Sequence, residues 1–124
     1  MKQRILVIDD DRLVADTLRL IFLANGYDSE VAYSAADGLA CARTFIPALL
    51  LCDVTMPEET GLQLAEKMRS EMPDCKLLML TAYAYNALKV EQYISRTKQP
   101  LKLLNKPCRP ELLLREAMNL LQTA

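Results

Sequence analysis

Five successive strand-then-helix units predict an α/β fold: a doubly wound, five-stranded parallel sheet covered by five helices. Three observations carry this. Short apolar runs alternate with stretches of helical periodicity along the whole chain. Most of those runs are continuous, as suits strands buried on both faces. The chain has 124 residues, of which 52% are hydrophobic. That is enough for one core, since folding at this size hides roughly two-thirds of the unfolded surface. No linker, internal repeat or low-complexity tract divides the chain, so one domain over residues 1–124 is expected.

The elements follow in order. Ile5, Leu6, Val7 and Ile8 form an apolar run that stops at aspartates, a first strand. Val14, Leu18, Ile21 and Phe22 recur at helical spacing, and Asn25 and Gly26 end that helix. Tyr27, Ser29, Val31 and Tyr33 alternate with other residues, as an edge strand does. Ser34 through Asp37 open a second helix with a cap signature, and Pro47 ends it. Leu49 to Cys52 is the third strand, stopping at Asp53. Thr60 and Gln63 make a capping-box pattern, with Leu64 and Met68 continuing the helix towards Pro73. Leu77 to Leu80 is the fourth strand, ending at Thr81. A weaker helix around Ala87, Val90 and Ile94 and a polar loop from Ser95 to Gln99 come next. Leu101, Leu103 and Leu104 form the fifth strand. Pro110 suits a first helical turn, and Leu113, Ala117, Leu120 and Leu121 line the last helix.

Composition removes several function classes. No apolar run approaches the roughly 20 residues of a membrane span, and the four apolar residues after Arg4 are too few for a secretory signal. The expectation is a cytoplasmic protein without membrane contact. The cysteines Cys41, Cys52, Cys75 and Cys108 form no C-x-x-C pair, and histidine is absent. Zinc sites and histidine-dependent nucleophiles are therefore disfavoured or excluded, and chemistry falls to carboxylates, lysine and hydroxyls. Net charge is −1, but six basic residues and one acid lie between Tyr85 and Arg109. That stretch is a basic region on an otherwise acidic chain. It reads as a solvated face or, more sharply, as a surface for an acidic protein partner.

Ligands of open parallel sheets bind beyond the carboxyl ends of the strands. The residues there are Asp9, Asp10 and Asp11 after the first run, Asp53 after the third, Thr81 after the fourth and Lys106 after the fifth. Each has a plain reading by itself. Asp11 and Asp16 suit a helix N-terminus, Asp53 a turn, Thr81 a hydroxyl bonded to backbone, and Lys106 a solvated cation. Their joint placement at one rim points instead to a site. Clustered carboxylates repel one another unless a cation joins them, and Mg²⁺ prefers such hard oxygen ligands.

The sequence resembles the receiver domain of two-component response regulators. The resemblance rests on Ile5 to Asp11, Asp53 to Pro57 with Gly61, Thr81 with Ala82, and Lys106 with Pro107. It implies a flavodoxin-like strand order 2-1-3-4-5. It implies that Asp53 accepts a phosphoryl group and that Asp10, Asp53 and the backbone carbonyl of Thr55 coordinate Mg²⁺, with Asp9 helping through water. Thr81 would bond a phosphoryl oxygen, and Lys106 would pair with Asp53 or its phosphoryl oxygens. The Lys106–Pro107 bond resembles one held in cis. A sensor histidine kinase or a phosphotransfer protein would donate the group. Output would pass through a downstream protein partner rather than through nucleic acid. The domain would catalyse only its own phosphorylation and dephosphorylation.

The chain departs from the family pattern at three places. Leu103 stands where an aromatic residue is usual, Cys108 where phenylalanine often follows the Lys-Pro pair, and Ser95 to Pro100 replace a Gly-Ala segment. Thr55 and Tyr83 occupy the positions that tune acyl-phosphate hydrolysis, where a bulky Tyr83 would hinder the attacking water. Other readings of the same residues are a docking scaffold that is never phosphorylated, a phosphatase using Asp9 and Asp11, and, weakest, a flavin-binding protein.

Overall fold

The computed structural model describes residues 2–54, 61–81, 101–106 and 108–122. The expected helix around residues 87–94, the loop at 95–99, the cap at Thr60, and Thr55, Tyr83 and the Lys106–Pro107 bond lie outside them. Strands β1 (Arg4–Ile8), β2 (Asp28–Ala32), β3 (Leu49–Asp53), β4 (Lys76–Thr81) and β5 (Leu101–Asn105) form one sheet. Helix α1 (Arg12–Ala24) links β1 to β2, α2 (Ala35–Phe45) links β2 to β3, α3 (Gly61–Glu71) lies between β3 and β4, and α4 (Pro110–Gln122) follows β5. All pairings are parallel and the order is β2-β1-β3-β4-β5. The strand order agrees with the expected one, and β2 is an edge strand. Among the described residues no helix is long and apolar enough to cross a membrane.

The continuous apolar runs serve two cores at once. Leu6, Ile8, Leu50, Cys52, Leu77 and Met79 pack with Leu39 and Ala42 of α2 and Leu64 and Met68 of α3. Their sequence neighbours Ile5, Val7, Leu49, Leu51, Leu78 and Leu80 pack with Leu18 and Phe22 of α1 and Leu113 and Ala117 of α4. Successive strand residues point to opposite faces, so both faces must be apolar. Right-handed crossovers explain which helix covers which face. The chain steps outward from β1 to β2 and then back across β3 and β4, which places α1 opposite α2 and α3.

Local chemistry sets the boundaries. Asp11 caps α1 by accepting from the Val14 amide at 3.3 Å, and Ser34 caps α2 by accepting from the Asp37 amide at 3.1 Å. Gly26 has φ 90°, which allows the turn out of α1. Helix α2 ends on Ile46 at φ 51°, a left-handed conformation that strains a β-branched residue. The Ile46 carbonyl accepts from Arg4 Nε at 3.0 Å. Strand β2 is shorter than the alternation suggested, and Tyr27 and Tyr33 flank it. Inside it, buried Ser29 donates its hydroxyl to the Ile5 carbonyl at 2.9 Å. Gly38 of α2 sits against Ile8, where an added Cβ would stand 2.2 Å from Ile8 Cδ1.

Candidate functional site

The register brings the rim together. Ile8 lies beside Cys52, so the next residues, Asp9 and Asp53, come side by side. Asp53 in turn pairs with Leu80, and Thr81 pairs with Asn105, which sets Lys106 one step beyond β5. The Lys106 amide donates to the Thr81 carbonyl at 2.7 Å, which fixes the start of its turn. The strand order reverses between β1 and β3, and that is where a doubly wound sheet opens its crevice.

Two acids at the crevice are buried. Asp9 is 2% exposed and Asp53 8%, while Asp10 is exposed. One carboxylate oxygen from each of the three lies within 4.8 Å of those from the other two. Lys106 Nζ donates to Asp53 Oδ2 at 2.9 Å and to Asp9 Oδ2 at 3.1 Å. Asp9 also accepts from the Asp11 amide at 2.9 Å. Burial pushes the Asp9 carboxyl above its ordinary range, against the lowering effects of that amide and of Lys106. Burial opposes the charge on Lys106, yet its bonds to Asp53 and Asp9 outweigh this and hold its proton more tightly than usual. Neighbouring Cys52 is not a nucleophile, because full burial and then the charges of Asp53 and Asp9 push its thiol well up. Thr81 is buried at the same rim.

Asp9, Asp10, Asp53, Thr81 and Lys106 are thus all at the carboxyl ends of their strands. The direct Asp9–Lys106 pair was not foreseen, because it joins residues 97 apart with no local signal. Asp11 is the helix cap, as its plain reading had it. Asp16 instead accepts a hydrogen bond from the Tyr33 hydroxyl, which raises the pKa of that phenol. The Arg12 guanidinium stacks over the Tyr33 ring, 4.3 Å from its centroid. Leu103 is half-buried against the core under α2 and α3. In the basic region, Lys102 lies 3.8 Å from Glu116 of α4. Three carboxylates, one of them open to solvent, fit a hard divalent cation that keeps part of its water shell.

The response regulator receiver domain family model matches residues 5–118. Response regulator MprA of Mycobacterium bovis (strain BCG / Pasteur 1173P2) is 40% identical over 82 residues, which is 66% of this chain and 36% of that protein. The chain therefore spans little more than a third of the length of such relatives. The CheY-like response regulator receiver domain protein from Methanospirillum hungatei JF-1 has a TM-score of 0.87 at 30% identity, covering 98% of this chain and 94% of that one. Vibrio cholerae chemotaxis protein CheY4 has a TM-score of 0.86 at 24% identity, covering 97% and 99%, a likeness of fold alone. The matched segment runs from β1 into α4 and contains every acid, hydroxyl and lysine of the rim, and so the chain belongs to the response regulator receiver domains, the signalling domains of two-component systems.

Proposed function

We infer that this domain is a phosphorylation-dependent signalling switch that accepts a phosphoryl group on Asp53 in the presence of Mg²⁺. The observation that carries the reading is the Lys106 ammonium lying between two buried carboxylates, Asp53 at 2.9 Å and Asp9 at 3.1 Å, with solvent-exposed Asp10 beside them. In the reaction, an Asp53 carboxylate oxygen attacks phosphorus and the bond from phosphorus to the donor breaks, leaving an acyl phosphate. Asp10, Asp53 and the Thr55 carbonyl would hold Mg²⁺, with Asp9 helping through bound water, and the ion would supply neutralisation of charge on the phosphoryl oxygens. Lys106 acts as a point charge on a flexible stem, able to follow the group as it arrives. The Thr81 hydroxyl donates to a phosphoryl oxygen. A sensor histidine kinase or phosphotransfer protein in the cytoplasm supplies the group, and a downstream protein reads the result.

The test is intact-protein mass spectrometry after incubation with acetyl phosphate and Mg²⁺, beside an Asp53→Asn variant. A single phosphoryl adduct that needs Mg²⁺ and is absent from the variant is the expected result. Absence of the adduct both here and after incubation with a phosphorylated kinase would refute the reading in favour of a docking scaffold.

A further inference from the structure

We propose that Tyr33 is a positioning residue for the acidic site, acting through Arg12 and Asp16 on the loop that carries Asp10. The inference rests on the reading that these acids hold a divalent cation. Asp10 is exposed, and its place is set by its two neighbours in the chain. On one side the Asp9 amide donates to the Ala32 carbonyl at 3.2 Å, at the end of β2. On the other side Asp11 caps α1 and donates its own amide to Asp9 Oδ1. The first turn of α1 is held from below by Val14 and Ala15, which pack on the core, while its outer residues have no such hold. Arg12 is exposed, Leu13 is 76% exposed, and the first buried residue of the helix is Ala15.

Tyr33 adds a hold on the outer side, from across the loop. It is the residue after Ala32, so the strand end that anchors Asp9 also carries the ring. Its face takes the Arg12 guanidinium, and its hydroxyl donates to Asp16, one turn further along the helix. One side chain thus grips a position in each of the first two turns and ties them to the strand that fixes Asp9. The stack does a second thing. Arg12 is two residues from Asp10, and while it lies on the ring its cation is kept off the carboxylates. Released, it would compete with a metal ion for them.

The experiment compares Tyr33→Ala and Tyr33→Phe with the parent chain, with Arg43→Ala as a remote surface control. Arg43 pairs with Glu71 between α2 and α3, away from the rim. Mg²⁺ affinity is measured by calorimetry, and exchange of the Asp11 and Val14 amides by NMR without metal. In Tyr33→Ala, Mg²⁺ binding is expected to weaken roughly three- to tenfold, at or below the lower end of what loss of a supporting contact behind metal ligands costs. Both amides should exchange faster. Tyr33→Phe keeps the stack and should stay within about twofold of the parent, since the cation–ring contact is the part retained. Arg43→Ala should leave both readouts unchanged. Parent-like Mg²⁺ affinity and amide exchange in Tyr33→Ala would overturn the proposal. A parent chain that binds no Mg²⁺ would overturn the cation reading itself, and with it this role for Tyr33.

Discussion

Replacing Lys106 by methionine keeps the stem of the side chain and removes the cation between two carboxylates. At 2.9 and 3.1 Å, each contact carries a gross attraction of about 5–6 kcal/mol at an effective dielectric constant of ~20. Desolvation offsets most of that in the native chain. Breaking a buried pair from one side costs ~3–5 kcal/mol because a charge is left uncompensated. Here the lysine side chain is 26% exposed and Asp9 can take up a proton, so about 2–3 kcal/mol is expected for Lys106→Met. Thermal denaturation in EDTA should show it as a fall of roughly 10 °C. Saturating Mg²⁺, worth ~2.7 kcal/mol at one hundred times its dissociation constant, should raise the variant's melting temperature more than the parent's. The variant has two acids with no resident cation. Acidity gives the matching signature. The Asp9 pKa is raised above 3.8, so the folded chain binds that proton more tightly than the unfolded chain. Stability contributed by Asp9 therefore falls as pH rises through the window above 3.8. Loss of Lys106 removes a lowering influence and widens the window, so the variant's deficit should shrink on acidification from neutral pH. In the parent, the stability contributed by raised Lys106 holds up to 10.5 and is lost as pH rises through the folded value. A variant that melts with the parent in EDTA at neutral pH would refute the argument.

Two further substitutions test the packing and the backbone. Gly38→Ala drives a methyl into Ile8 and should cost about 1–2 kcal/mol by overpacking, net of the helix propensity gained. Ile8→Val removes the Cδ1 atom that the methyl meets, so in denaturant titrations Gly38→Ala should cost less on that background. Ile46→Gly relieves the left-handed strain at φ 51° on a residue 52% exposed, and should raise the unfolding midpoint by an amount corresponding to roughly 1 kcal/mol. No gain there would mean that the apolar contacts of Ile46 outweigh its backbone cost.

The strands were legible because a parallel strand buried on both faces needs an unbroken apolar run, and Ile5 to Ile8, Leu49 to Cys52 and Leu77 to Leu80 are such runs; their order was legible only through the resemblance to receiver domains. The same continuity hid which residue faces which helix layer. A run with no alternation says nothing about whether Leu6 or Val7 meets α2. The rim acids and Lys106 were legible as positions at strand ends. The sharing of Lys106 between Asp9 and Asp53 was not, because only the register of β1, β3, β4 and β5 creates it. Ser34 and Asp11 announced themselves as caps through side-chain chemistry. Ile46 did not, since a β-branched residue is the last expected at positive φ, and only Pro47 marked the spot. Tyr33 read as part of an edge strand. Its contacts with Arg12 and Asp16 come from the packing of α1 beside β2.

The strand order also shapes how the chain can assemble as it is made. β1 is synthesised before the other strands of the sheet and ends up between two partners that come much later. Its contact with β2 spans an offset of 24 residues, as Arg4 with Asp28, and its contact with β3 spans 44, as Ile5 with Leu49. A nascent chain that has finished β2 therefore holds a two-stranded ribbon whose β1 edge is bare. Leu6 and Ile8 stay uncovered on that ribbon until α2 and β3 arrive. Exposed apolar edges of this kind invite pairing with other chains. Synthesis of residues 33–53 is thus one interval in which this domain needs shielding, and the bare edge then passes to β3 until β4 arrives 27 residues on, as Leu49 with Lys76.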